Sequence, residues 1–355
     1  MHFSSLLTTC ILALAPTSLA KPTSSIPIPR SPHNDSLPVG AGYVFAYFVG
    51  DDNNGESIFL AASNGNDALS WRELNGGNPI LTSEKGTRGL RDPFLMRSRE
   101  GDKFFLIATD LKINDIGWER ALRFGSLYLE IWESTDLVNW SEQRHTLVSL
   151  PTAGMTWAPE AYYDESIGEY VVYWASRLYA EDDPNHEIET YAKIMYATTK
   201  DFVTFSEPVI WQGSNDRIDT TVLKDGDTYH RFTKDFGGVS GKECVDIIQE
   251  SSTRLRDGQD GWKRVTSCIG TKAGLDVVEG PSIFKSNPDD VHGEKFYLFV
   301  DEFAGRGYIP LETTDIANPD WKVSENYSLP PSPRHGSVVS VTAKELQGVL
   351  DAYSK

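Results

Sequence analysis

From about residue 41 to residue 342 the chain is a succession of short apolar runs, rich in Tyr, Phe, Val and Ile, separated by clusters of Gly, Asp and Asn. Runs of roughly four to eight such residues between turn formers predict β-strands, and a long series of them predicts an all-β fold. The first is Tyr43-Val44-Phe45-Ala46-Tyr47-Phe48, and only the tail from Ala343 to Lys355 reads as a helix. Residues 21–40 are rich in Pro and Ser with no apolar period, which predicts a flexible lead-in. Residues 1–20 contain no Asp, Glu, Lys or Arg, carry an apolar run from Leu6 to Pro16 and end in Ser18-Leu19-Ala20, the pattern of a signal peptide. That run is too short to span a bilayer, and no later segment reaches about 18–20 uninterrupted apolar residues. The expectation is a secreted protein with no membrane anchor.

The apolar runs recur in a fixed order. Ser63-Asn64-Gly65-Asn66-Asp67-Ala68-Leu69-Ser70-Trp71 resembles Ser134-Thr135-Asp136-Leu137-Val138-Asn139-Trp140 and Thr199-Lys200-Asp201-Phe202-Val203-Thr204-Phe205, with weaker copies ending at Trp262 and Trp321. A second series stands in front of paired strands: Arg91-Asp92-Pro93-Phe94, Trp157-Ala158-Pro159-Glu160, Ile218-Asp219-Thr220-Thr221, Glu279-Gly280-Pro281 and Arg334-His335-Gly336. Its members are 56 to 68 residues apart, room for one four-stranded propeller blade with generous loops. The first unit has no strand of the second series before it, and the last such strand, Ser337 to Val341, has no unit after it. If that strand supplies the innermost position of the first blade, the ring closes and no long edge is left bare. The prediction is an all-β, single five-bladed β-propeller over residues 41–342, closed by its C-terminal strand. Asp92, Glu160, Asp219, Glu279 and His335 would then hold one equivalent position in five blades and converge at one mouth.

Composition narrows what could bind there. The formal charge of −18 disfavours nucleic acid and anionic membranes, leaving a neutral ligand open. The many Trp, Tyr and Phe residues suit stacking on sugar rings and equally suit packing between sheets. Cys10 falls in the leader, so Cys244 and Cys268 are left to pair as one disulfide in an oxidising compartment. Asn34, Asn139 and Asn326 begin N-glycosylation tripeptides. A monomer is expected.

The ordered set Arg91-Asp92-Pro93, Trp157-Ala158-Pro159-Glu160, Ile218-Asp219 and Glu279-Gly280-Pro281, one blade apart, resembles glycoside hydrolase family 43 over nearly all of residues 41–342. The resemblance implies a five-bladed propeller that hydrolyses arabinofuranosides or xylosides with inversion. Asp92 would be the general base, Glu279 the general acid and Asp219 the carboxylate that orients the acid and holds its pKa up. Inversion by such a pair calls for carboxyl groups about 6.5–9.5 Å apart, with a water between. Trp157, Phe94 and Glu160 are assigned to the sugar-binding mouth, although family members commonly have Asp in place of Glu160. The resemblance requires no cofactor for the chemistry. It admits a structural calcium ion on the propeller axis, with His335 holding one of its waters. The implied partner is a neutral oligo- or polysaccharide, and the implied activity an exo-acting α-L-arabinofuranosidase, with β-xylosidase and endo-arabinanase as alternatives. A carbohydrate-binding propeller without turnover is the alternative of another class.

Two short motifs lead elsewhere and are set aside. Lys234-Asp235-Phe236-Gly237 carries a kinase tripeptide without the loops a kinase needs. Glu243-Cys244 resembles a motif of the retaining fructosidase propellers, but it precedes a third strand rather than an innermost one.

Overall fold

The computed structural model describes residues 39–52, 54–238 and 244–353. The predicted leader, all but the end of the lead-in, Asn34 and Glu243 lie outside them. The strands form five four-stranded antiparallel sheets. Their innermost strands are Arg334–Val341, Leu90–Arg97, Trp157–Asp164, Asn215–Asp225 and Glu279–Lys285, in blades 1 to 5, and they touch one another in that order around the axis. Blade 1 is completed by Gly42–Phe48, Phe59–Ser63 and Trp71–Glu73, with Val339 paired to Val44. The strand at residues 334–341 therefore closes the ring as the repeat predicts.

The repeat has a local physical cause. In each clear copy an Asp carboxylate folds back on the chain: Asp136 Oδ1 accepts from the amides of Val138 and Asn139 at 2.9 and 2.7 Å, and Asp201 Oδ1 from those of Val203 and Thr204 at 2.9 Å each. Asp315 does the same for Ala317 and Asn318 in blade 5. These are Asx turns, which end a blade's third strand and aim the chain at its fourth.

Alternation along each strand sends successive side chains into the two flanking joints. Val44 and Ala46 pack toward blade 2, while Tyr43, Phe45 and Tyr47 pack toward blade 5 against Phe284, Tyr297, Phe299 and Tyr308. Each of the five joints holds one such apolar cluster. Most of the aromatic content is thus packing between sheets. The joint of blades 3 and 4 differs: Arg217, Arg231 and Glu250 are buried there, with the Arg231 guanidinium 4.2 Å from the centre of the Trp262 ring.

The tail forms the expected helix, Ala343–Tyr353, and sets Leu346 and Val349 on the cluster between blades 1 and 2. It is not the only one. Ile113–Ile116, Trp118–Phe124 and Ile269–Lys272 are short helices within connections that show no helical period. Buried contacts of Ile113 and Ala121, rather than an amphipathic stripe, hold the first two down. Among the described residues no helix is long and apolar enough to cross a membrane.

Cys244 and Cys268 form a disulfide. It closes a loop over a sequence separation of 24 that contains the third and fourth strands of blade 4. Cys268→Ser should lower stability by about 3 kcal/mol through the added freedom of the unfolded chain. The denaturant midpoint measured with and without reductant checks this, and reductant should leave the variant's midpoint where it is. Asn139 and Asn326 are both exposed.

Candidate active site

The mouth is shaped by one backbone device used four times. Asp92, Ala158, Asp219 and Gly280 have φ of 48°, 50°, 52° and 55°, in the left-handed region. At each of them the pairing with the blade's second strand slips, between Arg91 and Phe94, Trp157 and Glu160, Ile218 and Thr220, and Glu279 and Ser282. A bulge breaks the in-and-out alternation, so neighbouring residues can both reach the axis. This corrects the expected equivalence of the five polar residues. Asp92, Asp219 and His335 do share a position, but Ala158 and Gly280 are its counterparts in blades 3 and 5. Glu279 precedes that position by one residue and Glu160 follows it by two. Gly280 is required on a second count, because a Cβ there would lie 2.7 Å from Cγ of His335.

His335 is the hub. Its Nδ1 lies 3.4 Å from Asp92 Oδ1 and 4.0 Å from Asp219 Oδ2. The other Asp92 oxygen accepts from Thr109 Oγ1 at 2.9 Å, and the Thr109 hydroxyl accepts the Ala158 amide at 2.8 Å, which ties the mouths of blades 2 and 3. Asp219 Oδ2 accepts the Gly280 amide at 3.0 Å, so it grips the residue next to Glu279. Glu160 is buried and accepts from the Tyr173 hydroxyl at 3.1 Å. Tyr308 OH lies 2.8 and 3.0 Å from the carbonyl oxygens of Gly280 and Gly336 and locks blade 5 to blade 1. The structure thus brings together Asp92, Asp219, Glu160 and His335, with Glu279 beside them.

The surroundings drive the carboxyl groups apart. Burial pushes Asp92 up, but the hydrogen bond and charge of His335, then Arg91 and Thr109, outweigh it and hold the group below its ordinary value. Burial, then the negative charges of Asp219 and Asp301, lifts Glu279 to about 8 against Lys234 and His335. Asp219 is raised by burial and by Asp92, with His335 opposing. Burial lifts Glu160 to about 8 as well. For His335, burial acts downward, and Asp92, Asp219 and Glu160 reverse it to about 9. At neutral pH the site therefore holds an ionised Asp92 against an imidazolium, with protonated carboxyls on Glu160 and Glu279. These two differ in use. The Glu160 carboxyl is engaged by Tyr173 and Thr221, whereas Glu279 is only partly buried and the described residues supply no hydrogen bond to its carboxyl.

His335 turns Nδ1 toward Asp92 and Asp219, so an axial calcium held through a water on His335 would have to use the other ring nitrogen. Among the described residues, the grouping with metal-ligand spacing is Asp110, Glu130 and His145 in the outer strands of blade 2. There both Glu130 oxygens are already taken, by His145 and Gln143.

Phe94 is not at the mouth. It follows the Asp92 bulge by two residues and packs into the joint between blades 2 and 3, because that strand has resumed alternation. Trp157 is half-buried at the rim, 6.0 Å edge-on from Trp118, whose ring is half exposed. The Arg91 guanidinium stands 5.4 Å from the Trp118 ring and 4.6 Å from that of Phe48, and it pairs with Asp51 and the buried Glu56. Thr109, Tyr173, Thr221, Lys234, Asp301 and Tyr308 escape the sequence reading. Each lies within a strand with no motif around it, apart from Thr221, which ends the Ile218–Thr221 motif, and Lys234, which stands in the discarded kinase-like stretch.

A family described as "Probable glycosyl hydrolase domain", related to glycoside hydrolase family 43, matches residues 39–347. An α-L-arabinofuranosidase of Bifidobacterium longum subsp. longum is 37% identical over 299 residues, which cover 76% of this chain and 28% of that protein. A β-xylosidase of Formosa agariphila is 25% identical over 202 residues, 55% of this chain and 30% of that one. The chain thus spans less than a third of the length of either relative. In fold it resembles Cellvibrio cellulosa α-L-arabinanase complexed with arabinohexaose, with a TM-score of 0.52 at 14% identity, covering 81% of this chain and 92% of that one. It also resembles an α-L-arabinofuranosidase of Lactobacillus brevis, with a TM-score of 0.50 at 17% identity, covering 76% and 82%.

Proposed function

The chain belongs to glycoside hydrolase family 43, and from that premise we propose that it is a secreted, exo-acting α-L-arabinofuranosidase that hydrolyses arabinan or arabinoxylan side chains with inversion. The observation that carries the reading is the meeting at one mouth of Asp92, facing His335, and Glu279, next to the Gly280 amide that Asp219 holds, in surroundings that keep the first carboxyl low and lift the second to about 8. Inverting hydrolysis needs that division. Asp92 takes a proton from water, whose oxygen forms the new bond to the anomeric carbon. The bond from that carbon to the departing oxygen breaks, and Glu279 gives its proton to that oxygen. Asp219 grips the Gly280 amide and adds negative charge beside Glu279, which keeps the acid loaded. His335 faces Asp92 and keeps it ionised. The choice of an arabinofuranoside rests on the relative at 37% identity. The apolar leader and the disulfide support secretion.

The test is the anomeric configuration of the sugar at the moment of release, followed by proton NMR on an aryl α-L-arabinofuranoside. The inverted anomer is expected first, and a retained configuration would overturn the mechanism. Aryl β-xyloside and linear arabinan run beside it decide the substrate: faster turnover of either replaces the exo-arabinofuranosidase assignment with the corresponding one.

A further inference from the structure

Lys234 is a charged side chain near the mouth whose chemistry the mechanism leaves unused. It lies in the second strand of blade 4, Thr228–Gly238, and is wholly buried. A buried ammonium is costly unless it is bonded and faced by opposite charge. Its Nζ donates to the carbonyl oxygen of Val278 at 2.7 Å and to that of Val245 at 3.3 Å. These carbonyls belong to the residues just before Asp246 and Glu279, where the third strand of blade 4 and the first strand of blade 5 begin. One ammonium therefore ties the second and third strands of blade 4 to the residue next to the proposed acid. Val278 is itself wholly buried in the joint between these blades, so the tie has a rigid anchor.

Tying two carbonyls does not require a full charge, and an apolar side chain would fill the joint at less cost. The charge makes sense by what surrounds it. Glu279, Asp246, Asp219 and Asp235 all act on Lys234, and Glu279 in turn is acted on by Asp219, Asp301, Lys234 and His335. At rest Glu279 is protonated. As its proton passes to the departing oxygen, negative charge develops on a partly buried carboxyl beside two other carboxyls. A fixed cation is then worth more than it is in the resting state.

Resting on the reading of Glu279 as the general acid, we propose that Lys234 is its positioning residue: its ammonium pins Val278, sets where the Glu279 carboxyl stands, and balances the charge that carboxyl acquires on giving up its proton. The same charge limits how far Asp219 and Asp301 can lift the acid. Removing it leaves Glu279 more firmly protonated and a weaker donor.

The experiment is the pH profile of kcat/KM on an alkyl or weakly activated arabinofuranoside, for the wild type, Lys234→Met, Lys234→Arg and Glu279→Gln. Lys234→Met should lower kcat/KM by about 10- to 100-fold, and its basic limb should move upward by about one pH unit, since the acid loses the cation that favours its ionised form. Lys234→Arg keeps the charge and should keep the limb within a few tenths of a unit. A folded Lys234→Met enzyme with the wild-type limb would overturn the proposal, because a purely structural tie changes yield or stability and not the limb. Should Lys234→Met fail to fold, a displaced limb in Lys234→Arg overturns it instead. Glu279→Gln separates the two layers. If that variant keeps both turnover and the basic limb, the acid is elsewhere; if it loses them while Lys234→Met behaves as wild type, only the role of Lys234 falls.

Discussion

Glu279→Gln should slow hydrolysis of alkyl arabinofuranosides by about 10²- to 10⁴-fold, the usual share of a general acid, and should slow substrates with strongly acidic phenols far less, because such groups leave without a proton. The wild-type enzyme should lose activity above about pH 8, where Glu279 gives up its proton. It should also lose activity in strong acid, where Asp92 finally takes one up; the neighbouring imidazolium delays that step to below the ordinary carboxylate range. The variant should keep the acid limb and lose the basic one. Kinetics on a series of leaving groups measures both effects at once. A uniform loss across the series would mean that residue 279 supports the site without donating the proton.

Glu250→Ala should cost about 3–5 kcal/mol of stability, the largest expected effect away from the mouth. The Glu250 carboxylate accepts from Arg217 Nη1 at 3.1 Å and from Arg231 Nε and Nη2 at 2.9 and 2.7 Å, deep in the joint of blades 3 and 4. Truncation leaves two buried guanidinium groups to share the partners that are left, Asp235, Gln212 and Gln259. Burial pushes the Glu250 carboxyl up, but Arg231 and Arg217 hold it below the ordinary value of 4.5. Its contribution is therefore fully present above pH 4.5 and is lost as pH falls through the lower folded value. Urea denaturation at pH 7 checks the size of the loss, and the gap between wild type and Glu250→Ala should narrow in acid. Replacing two of the three members, Arg231→Met with Glu250→Leu, should recover part of the stability lost in Glu250→Ala, since only Arg217 is then left without the carboxylate and it keeps Asp235.

The architecture was legible in the sequence because one local device recurs at blade spacing. An Asp bonding amides two and three residues on leaves a trace of the same letters at the corners of blades 2, 3 and 5. The inner-strand starts were legible for a similar reason, and the unmatched strand near residue 337 pointed to closure. What escaped is set by conformation rather than by letters. The left-handed bulge is occupied by Asp92, Ala158, Asp219 and Gly280, which share no side-chain chemistry, so the true alignment of Glu160 and Glu279 does not show in the motifs. Phe94 ends the Arg91–Phe94 motif, yet two residues beyond a bulge is where alternation into the joint resumes. Lys234 gave no signal because its importance lies in which carbonyls it meets, and these come from residues 245 and 278. The short helices near residue 118 are held by a handful of buried contacts and leave no periodic trace.

The closing strand has a consequence for synthesis. His335, the hub between Asp92 and Asp219, arrives on the strand that pairs with residues 42–48. Blades 2 to 5 can emerge and pack in order, but the first strand of the domain must wait, partnered on one side only, for nearly three hundred residues. Any chain stopped short of residue 334 lacks both the seam and the imidazolium. A truncated product of translation or proteolysis would thus be open and without its hub together, so the mouth is complete only when the ring is.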